Sequence, residues 1–375
     1  MSDFLPFTRP QIDEATIEAV SEVLRSGWIT TGPKVAEFEQ QLTEYLGGNR
    51  FVRTFTHATG ALQEALTVCD IGPGDEVIVP AMTFAATANV VVRVGATPVF
   101  VDVDLESRNL LLDQVEAAIT PRTRAIMPVH FGGLAVDLDA LYALARRHEL
   151  RVIEDAAHAI GTRFKNRLIG SEGDIVVFSF HANKNLTTIE GAAVSLASEA
   201  EAQRLELLRF HGIRKRDDGT IDVLEAAGKY NMTDVSAVVG IHQLRRLDEF
   251  NRKRRMLADR YFENFGTDAP GVLPARGDEG HSWHMFTLLL PFADNGFDRV
   301  AFRDRMQTRG IGVGMHYPAV PLLDCYRRRG FREGQFPNAE RIGRETVTLP
   351  LFPGMEVPDV DRVCEALRET VQECR

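Results

Sequence analysis

Three stretches of this 375-residue sequence combine residue types and spacings that could do chemistry. They read FTHATGALQEAL over 55–66, RVIEDAAHAIG over 151–161 and DIVVFSFHANKNLTTIEGAA over 174–193. In the last stretch an apolar run leads into Ser179 and Lys184. A lysine amine becomes nucleophilic when burial lowers its pKa, and it then forms Schiff bases with carbonyl groups. The alternative for Lys184 is an ordinary lysine in a solvated loop.

Asp155 and His158 form the second candidate pair. The apolar run RVIE ends at Asp155, and His158 follows three residues later. If a helical turn begins there, the two side chains lie on one face. A carboxylate in this place can keep a ring nitrogen protonated, which the cofactor pyridoxal phosphate (PLP) needs in order to accept electrons. The structural alternative is a helix cap at Asp155 and a hydrogen-bonded core histidine at His158.

Thr59 and Gly60 form the third candidate site, where a strand pattern leads through small and hydroxyl residues into a helix. Backbone N–H groups at such a helix start bind anions, and an ordinary N-cap is the alternative. Two nucleotide-binding signatures are missing from the sequence. No GxGxxG follows a strand, no GxxxxGK[ST] occurs, and the GIGVG at 310–314 has the wrong spacing. A nicotinamide or P-loop enzyme therefore has little support.

The three stretches lie where short apolar runs alternate with helical patterns. Continuous apolar runs such as IVVFSF are typical of strands buried on both faces. The predicted strands are 51–55, 76–80, 98–102, 125–129, 151–154, 174–180 and 192–197, and the predicted helices are 61–68, 85–94, 138–148 and 199–210. This alternation predicts an α/β fold with a mostly parallel sheet and helices on both faces. Such sheets bind ligands beyond the carboxyl ends of their strands, which is where Lys184 falls.

The pattern changes after the first two-thirds of the chain. Residues 235–265 predict one or two long helices, in which the basic cluster 252–255 breaks the apolar face. Turn signals then separate shorter elements, and the amphipathic stretch 359–373 predicts a last helix. We therefore expect a large PLP-binding α/β domain over 1–247 and a small α+β domain over 248–375.

Composition limits the class of protein. Lys plus Arg total 43 and Asp plus Glu total 53, so the formal net charge is −10 and nucleic acid is not the expected partner. No run approaches the roughly 20 apolar residues of a membrane span. The start, MSDFLPFTRP, has an acid and two prolines and does not resemble a signal peptide. The four cysteines lack CxxC spacing, so we expect reduced thiols, no metal site and a cytoplasmic location.

Several segments, taken together, resemble one enzyme family. They are LRSGWITTGPKVAEFE, GDEVIVPAMTFAATANVV, EDAAHAIG, SFHANKNLTTIEGA, LRFHGIRK and KYNMTDVSAVVGIHQL. The sequence resembles the PLP-dependent sugar aminotransferases of the DegT/DnrJ/EryC1/StrS family, a branch of the aspartate aminotransferase (type I) fold. The resemblance runs from about residue 4 to the end of the chain. It implies a homodimeric PLP enzyme that moves an amino group from L-glutamate, giving 2-oxoglutarate, to a nucleotide-linked keto sugar.

The resemblance also implies catalytic roles. Lys184 would form the Schiff base with PLP and later move the proton between the substrate carbon and the cofactor carbon. Asp155 would pair with the pyridine nitrogen, and His158 would contact the ring hydroxyl or stack near the ring. Phe84 would cover the ring face, although a core aromatic is its alternative.

The same resemblance implies a phosphate site shared between subunits. Thr59, Gly60 and Ser179 would hold the PLP phosphate from one subunit. Asn231 would reach the phosphate of the neighbouring subunit's cofactor, which makes the functional unit a dimer. A local turn or helix cap is the alternative for Asn231.

The substrate contacts are the least determined part of the resemblance. The candidates are Trp28, Thr30, Lys34, Arg214, Lys215, His316 and Tyr317. Through the same resemblance, the opening SDFLPFTRP, the SGWITTGPK loop and EDAAHAIGT imply a UDP-4-keto-pentose substrate, with a 4-keto-6-deoxy-hexose as the alternative. Two other readings stay open. One is the family's dehydratase branch, which uses pyridoxamine phosphate but carries His at the position of Lys184, and the other is a PLP-binding protein without catalysis.

Three positions depart from the family pattern. Ile189 and Ala192 stand where Gly is usual, and His57 stands where a small residue is usual. Because a branched side chain resists a positive φ, we expect the turn after Lys184 to differ from the family's turn. His57 would either add positive charge to the phosphate cup or point away from it.

Overall fold

The computed structural model describes residues 4–292 and 298–373. In that part of the chain the strands are β1 (Phe51–Phe55), β2 (Glu76–Pro80), β3 (Thr97–Val101), β4 (Thr123–Ile126), β5 (Arg151–Asp155), β6 (Arg163–Phe164), β7 (Arg167–Leu168), β8 (Ile175–Ser179), β9 (Ala192–Leu196), β10 (Ile213–Lys215), β11 (Ile221–Val223), β12 (Phe286–Leu289) and β13 (Thr346–Leu349). The helices are α1 (Glu14–Ser26), α2 (Pro33–Tyr45), α3 (Ala58–Val68), α4 (Ala86–Arg93), α5 (Leu112–Ala117), α6 (Leu138–Arg147), α7 (Glu199–Leu208), α8 (Asp234–Phe265), α9 (Arg299–Thr308), α10 (Asp324–Arg327), α11 (Pro337–Glu345) and α12 (Val357–Glu373).

Seven strands form the central sheet, in the order β1-β9-β8-β5-β4-β2-β3. The neighbours from β8 to β3 are parallel, whereas β9 runs antiparallel to both β8 and β1. This topology confirms the predicted α/β fold with a mostly parallel sheet. The predicted strand bounds differ most at β4, which ends at Ile126. Beyond it, Val129 keeps only an isolated bridge to Asp155.

The pairing of β5 with β8 places the ends of two candidate stretches side by side. Asp155 is opposite Val177 in the register of these strands. Side chains two residues apart on a strand share a face. Ile153 and Val177 pack into the core that α3 and α4 cover. Asp155 and Ser179 therefore project from that same face, toward the starts of these two helices.

Helix α8 is a single helix of 32 residues. The basic cluster at 252–255 does not break its buried face, because Arg254 is 2% exposed and points inward. Its Nη1 donates to the main-chain oxygens of Trp283, His284 and Leu351. The basic cluster therefore contributes to the packing of α8, in contrast to the expected interruption.

The two halves of α8 pack against different cores. Ala237 and Ile241 belong to a core on one face of the central sheet. Leu257 and Tyr261 belong to a second core, with side chains from β12, β13, α9 and α12. The expected division between 1–247 and 248–375 falls inside this helix and stays a prediction.

Two smaller findings concern the helices and the cysteines. Within residues 4–292 and 298–373, every helix is too short or too polar to cross a lipid bilayer. Cys69, Cys325 and Cys364 are free thiols. Cys374 lies outside the described residues.

Candidate active site

A cavity of about 350 Å³ opens beyond the carboxyl ends of β5 and β8. We call it the lysine cavity. Its walls include most of the predicted cofactor residues, together with two predicted substrate residues. The predicted residues that line it are Thr59, Phe84, Asp155, His158, Ser179, Lys184, His316 and Tyr317. The fold thus brings together three stretches that are distant in the sequence.

Asp155 is a buried carboxyl, with 5% exposure. Its Oδ2 accepts a hydrogen bond from Thr87 Oγ1 at 2.8 Å, and its Oδ1 accepts one from Ala157 N at 3.2 Å. Burial raises the pKa of Asp155, and these two hydrogen bonds oppose the rise. A buried carboxylate needs a cationic partner, so this group is suited to a protonated ring nitrogen. A turn, and not the anticipated helical turn, carries the chain from Asp155 to His158.

Lys184 lies in the tight turn that follows β8. Its N donates to His181 O at 2.9 Å. Burial lowers the pKa of the Lys184 amine to about 8, and the Asp155 carboxylate opposes this shift. A fraction of the amine is therefore unprotonated near neutral pH, which is the form that attacks a carbonyl group.

His158 is buried and its hydrogen bonds define its tautomer. Burial lowers the pKa of His158 well below its ordinary value, so the ring is neutral. Its Nδ1 accepts from Gly132 N at 3.3 Å, which places the ring proton on Nε2. Tyr317 Oη lies 3.4 Å from this Nε2 and can accept that proton's hydrogen bond. The Tyr317 hydroxyl hydrogen is then available to a ligand in the cavity.

His57 is the N-cap of helix α3. Its Nδ1 accepts from Gly60 N at 2.9 Å, and its ring packs edge-on against Tyr230. The Gly60 amide is therefore paired with His57 here, and Gly60 itself does not line the lysine cavity. Thr59 does line it, with its hydroxyl and the N–H groups of the first helical turn nearby. The role of Gly60 in holding phosphate stays a prediction.

Ile189 adopts a φ of 74° in the turn that leads to β9. The branched side chain therefore takes a conformation that it was expected to resist, at a cost on the order of 1–2 kcal/mol. Its N donates to Thr187 Oγ1 at 2.9 Å within the turn. That the turn differs from the family's turn stays a prediction. Ala192 starts β9 opposite Ser179, in extended backbone that does not require glycine.

A second cavity, of about 950 Å³, lies beside β10 and the end of α7. We call it the basic cavity. Its lining has four cationic side chains and one acidic side chain, Glu206. The cationic ones are Arg209, Arg214, Lys215 and Lys229, and the polar ones are Thr30, Thr31, Gln203 and Asn231. Asn231 Nδ2 donates to Thr31 Oγ1, and Asn231 Oδ1 accepts from Lys229 Nζ at 2.9 Å. Among the residues that the structure describes, none lines both cavities.

Two predicted substrate residues line neither cavity. Lys34 pairs with Glu37 at 2.7 Å on the surface of α2. Trp28 is 61% exposed, and its Nε1 donates to Thr31 O at 3.3 Å. Their contacts with a substrate stay predictions.

The residues of the lysine cavity fit PLP. A buried carboxyl is available for the pyridine nitrogen, and an amine of lowered pKa is available for the carbonyl carbon. Thr59 and Ser179 supply hydroxyl groups beside a helix start, which suits a phosphate. Phe84 is 58% exposed for so large an apolar side chain, and its ring lies 5.7 Å from that of Tyr317. No group of three or more His, Cys, Asp or Glu in the described ranges is placed to hold a metal ion.

Comparison with known proteins agrees with this fit. The model of the DegT/DnrJ/EryC1/StrS aminotransferase family matches residues 10–368, and the chain belongs to that family. The protein is a PLP-dependent aminotransferase. Its fold and cofactor are those that the sequence resemblance implies.

Three relatives illustrate the range of the match. The spore coat polysaccharide biosynthesis protein SpsC of Bacillus subtilis is 41% identical over 98% of this chain and 97% of its own. The proposed sugar aminotransferase Spr1654 of Streptococcus pneumoniae, in its PLP form, is 32% identical with a TM-score of 0.93 over 99% and 100% of the two chains. PseC of Helicobacter pylori, an aminotransferase of pseudoaminic acid biosynthesis, is 26% identical with a TM-score of 0.93 over 99% and 100%.

Sequence reasoning missed two residues next to the predicted site. Thr87 donates to Asp155, and its spacing from Thr83 on the chain places the two hydroxyls together at 2.9 Å. Lys229 contacts Asn231 two residues away. The sequence features that could have indicated them are the hydroxyl residues Thr83 and Thr87, four positions apart, and Lys229, two positions before the candidate Asn231. Neither signal is specific enough to stand out in the sequence alone.

Proposed function

We propose that this protein transfers an amino group from L-glutamate to a nucleotide-linked 4-keto sugar. The observation that carries the proposal is the lysine cavity, where Lys184, Asp155 and His158 meet at the carboxyl edge of the sheet. A sugar as acceptor is supported by the relatives, whose names concern spore coat polysaccharide, a sugar aminotransferase and pseudoaminic acid. The proposed setting is polysaccharide or lipopolysaccharide biosynthesis in the cytoplasm, where free thiols are stable.

Each residue of the cavity has a role in this proposal. PLP, when bound, accepts the electrons of the bond that breaks at the substrate carbon. Lys184 would hold the cofactor through its carbonyl carbon, and the same amine, when free, would take up and return the substrate proton. Asp155 keeps a proton on the pyridine nitrogen. His158 and Tyr317 orient groups on the ring or the substrate through their paired hydrogen bonds.

The glutamate half-reaction separates this proposal from its alternatives. We expect purified protein with PLP to show a visible absorption band that shifts when glutamate is added. Borohydride should fix the cofactor on Lys184, as read by peptide mass spectrometry. A non-catalytic binding protein would show an unresponsive band, and a dehydratase with His at the position of Lys184 would offer no lysine there for borohydride to fix. Protein that stays colourless, or that fixes nothing on Lys184, would contradict the proposal.

The two cavities suggest how the substrate phosphates are held. A nucleotide sugar carries a diphosphate, and exposed cations with N–H or hydroxyl groups are its natural partners. Arg214 and Lys215 are exposed at the basic cavity, which shares no residue with the lysine cavity of the same chain. We propose that a homodimer places the basic cavity of one subunit beside the lysine cavity of the other. The exposed apolar residues Ile221 and Leu224 near β11 would pack in that interface.

A mixed dimer tests the shared site. Subunits with Lys184→Ala are combined with subunits that carry Arg214→Ala and Lys215→Ala, and each pure variant is assayed at a limiting sugar concentration. If the sites are shared, the mixed dimer regains one site with all of its groups, so its activity should exceed that of both pure variants. If the groups act in one chain, mixing restores nothing.

The identity of the sugar is the finest part of the proposal. The opening SDFLPFTRP and the SGWITTGPK loop resemble those of UDP-4-amino-4-deoxy-L-arabinose–oxoglutarate aminotransferase, which favours a UDP-4-keto-pentose. The relatives described above carry other names, so this preference rests on that resemblance alone. A panel of UDP-, dTDP- and GDP-keto sugars with glutamate, read by mass spectrometry, tests it. Preferred amination of a 4-keto-6-deoxy-hexose would contradict the pentose.

A further inference from the structure

A second buried histidine, His284, lies against His158. It is 5% exposed and lies two residues before β12. Its ring centroid is 4.5 Å from that of His158, with 33° between the two planes. His158 also stacks with the Tyr317 ring, at 6.1 Å and 19°. His158 is therefore supported by a ring that no sequence motif had indicated.

His284 also contacts the residue that follows Lys184. Its Nδ1 lies 3.2 Å from Asn185 Oδ1. The orientation of the Asn185 amide follows from its other contacts, because its Nδ2 donates to Ser282 O and to Asn251 Oδ1, both at 2.8 Å. Asn185 Oδ1 is thus an acceptor, and His284 must donate through Nδ1–H.

The protonation state of His284 agrees with this assignment. Burial lowers the pKa of His284 well below its ordinary value, and the positive charge of Lys184 lowers it further. A neutral ring with its proton on Nδ1 satisfies Asn185 without placing a second cation beside Lys184.

The main chain of His284 is itself held in place. Its N donates to Gly132 O at 2.8 Å, and its O accepts from Arg254 Nη1 at 3.2 Å. Gly132 is also the residue whose N donates to His158 Nδ1. One short segment therefore fixes the position of His284 and the tautomer of His158 together.

We propose that His284 is a positioning residue for the transamination site. Through its ring it fixes the orientation of His158, and through Nδ1–H it fixes Asn185 and hence the turn that carries Lys184. The inference rests on the proposed roles of Lys184 and His158. Groups that act on one reacting carbon must be held to within a fraction of an ångström. Because His284 contacts both His158 and Asn185, the residue next to Lys184, its loss should affect the rate more than substrate affinity.

Two substitutions separate the two contacts. His284→Phe keeps a ring against His158 but removes the donor to Asn185, whereas His284→Asn keeps a donor and removes the ring. His281→Phe is the matched control, because His281 is 4% exposed in the same segment and stacks on Trp283 at 3.8 Å. Among the described residues, no hydrogen bond or ring contact joins His281 directly to His158 or Asn185. Its Nε2 donates to Gly132 O at 3.2 Å, so His281→Phe also shows whether the loss of a Gly132 contact alone alters the site.

The measurements are made on PLP-loaded enzyme with glutamate alone, so they do not depend on the sugar. We expect His284→Phe to slow the half-reaction about tenfold, the effect of one lost hydrogen bond, with glutamate KM within about twofold. The pH midpoint of the bound-cofactor absorption band should move by about half a unit or more, because Lys184 shifts relative to its neighbours. His284→Asn should change the rate and the pH midpoint in the same direction. If His284→Phe does not fold, the same measurements on His284→Asn decide the question. His281→Phe should lower Tm and leave the rate and the midpoint unchanged.

Three results would overturn the inference. The first is that the folded His284 variants keep the wild-type half-reaction rate and the wild-type pH midpoint of the absorption band, even if their Tm is lower. The second is equal shifts of rate and midpoint in His281→Phe. The third is wild-type protein that shows no cofactor band or that fixes PLP on another lysine, which would refute the proposed site as well. That third failure is recognised because it occurs in the wild type.

Discussion

The lysine cavity and the basic cavity differ in how deeply the fold buries their charged side chains. In the lysine cavity, Asp155, His158 and Lys184 are desolvated, and their pKa values are shifted by burial. In the basic cavity, Arg214 and Lys215 are exposed on the short strand β10. The first site is built from buried strand ends, and the second from surface side chains.

This difference indicates what each site can do. Desolvation sets protonation states and holds dipoles in place before a ligand arrives, which is the requirement of proton transfer. Exposed cations are screened by salt and attract any nearby anion, so they contribute affinity rather than chemistry. We therefore expect substitutions in the lysine cavity to change kcat, and substitutions in the basic cavity to change KM for the nucleotide sugar.

The largest expected effect is that of Lys184→Ala. Losing the amine removes both the carbonyl partner and the proton acceptor, so the turnover rate should fall by at least about 10³-fold. Single-turnover assays with glutamate, and borohydride fixation read by mass spectrometry, measure the loss. Lys165→Ala is the control, since Lys165 pairs with Asp139 on the surface. Near-normal amino transfer by Lys184→Ala would contradict the assignment of the chemical step to the lysine cavity.

Asp155→Asn should have the next largest effect. The amide cannot hold a proton on the pyridine nitrogen as a carboxylate does, so the rate should fall about 10²–10⁴-fold with little loss of stability. Glu154→Gln is the matched control. Glu154 is buried on the same strand but binds His130 and Tyr142, away from the cavity. Equal rate losses in the two variants would show that any buried carboxyl of β5 matters.

Burial of the Lys184 amine should lower the free energy of unfolding of the PLP-free protein in a pH-dependent way. Its folded-state pKa of about 8 is below the ordinary 10.5. Below pH 8 both the native and the unfolded state are protonated, so the native state carries the full cost of a buried charge, at most about 3 kcal/mol. Between pH 8 and 10.5 the native state releases its proton first, and the cost disappears.

Lys184→Met should therefore be more stable than the wild type at pH 7, with an advantage that shrinks as the pH rises toward 10.5. Urea unfolding at several pH values measures it. A difference in unfolding free energy that does not vary with pH would mean that the amine is solvated in the apo protein.

In the basic cavity, the pair of substitutions Arg214→Ala and Lys215→Ala should raise KM for the nucleotide sugar about 10- to 100-fold. Two charge-assisted contacts to phosphate are lost, while kcat and the glutamate half-reaction change little. Arg216→Ala is the control, because Arg216 pairs with Asp222 at 2.7 Å and does not line the cavity. A fall in kcat without a change in KM would place these cations in the chemistry.

The smallest expected effect is that of Ile189→Gly, in the turn that leads to β9. Glycine relieves the strain of a positive φ but loses more backbone entropy on folding, so the net gain in stability should be up to about 1 kcal/mol. Urea unfolding at pH 7 measures the gain. A loss of stability would mean that packing of the Ile189 side chain outweighs the strain.

The sequence predicted the sheet well, because each buried strand is a local apolar run. β1 and β2 have the predicted bounds, Asp155 ends β5, and Lys184 follows β8 as expected. It did not predict that Thr87 would contact Asp155 or that His284 would contact His158. Those contacts join residues 68 and 126 positions apart, and no local pattern encodes which distant side chains meet.

The sequence by itself determined the α/β fold, the family and the residue types needed for PLP chemistry, since motifs and apolar periodicity are local properties. Only the tertiary structure decided that Gly60 is capped by His57, that Ile189 accepts a positive φ, and that Arg214 lies in a different cavity from Lys184. The physical reason is that burial and hydrogen bonding depend on what packs around a residue. The surroundings of Lys184 lower the pKa of its amine to about 8, a property that the sequence does not encode locally.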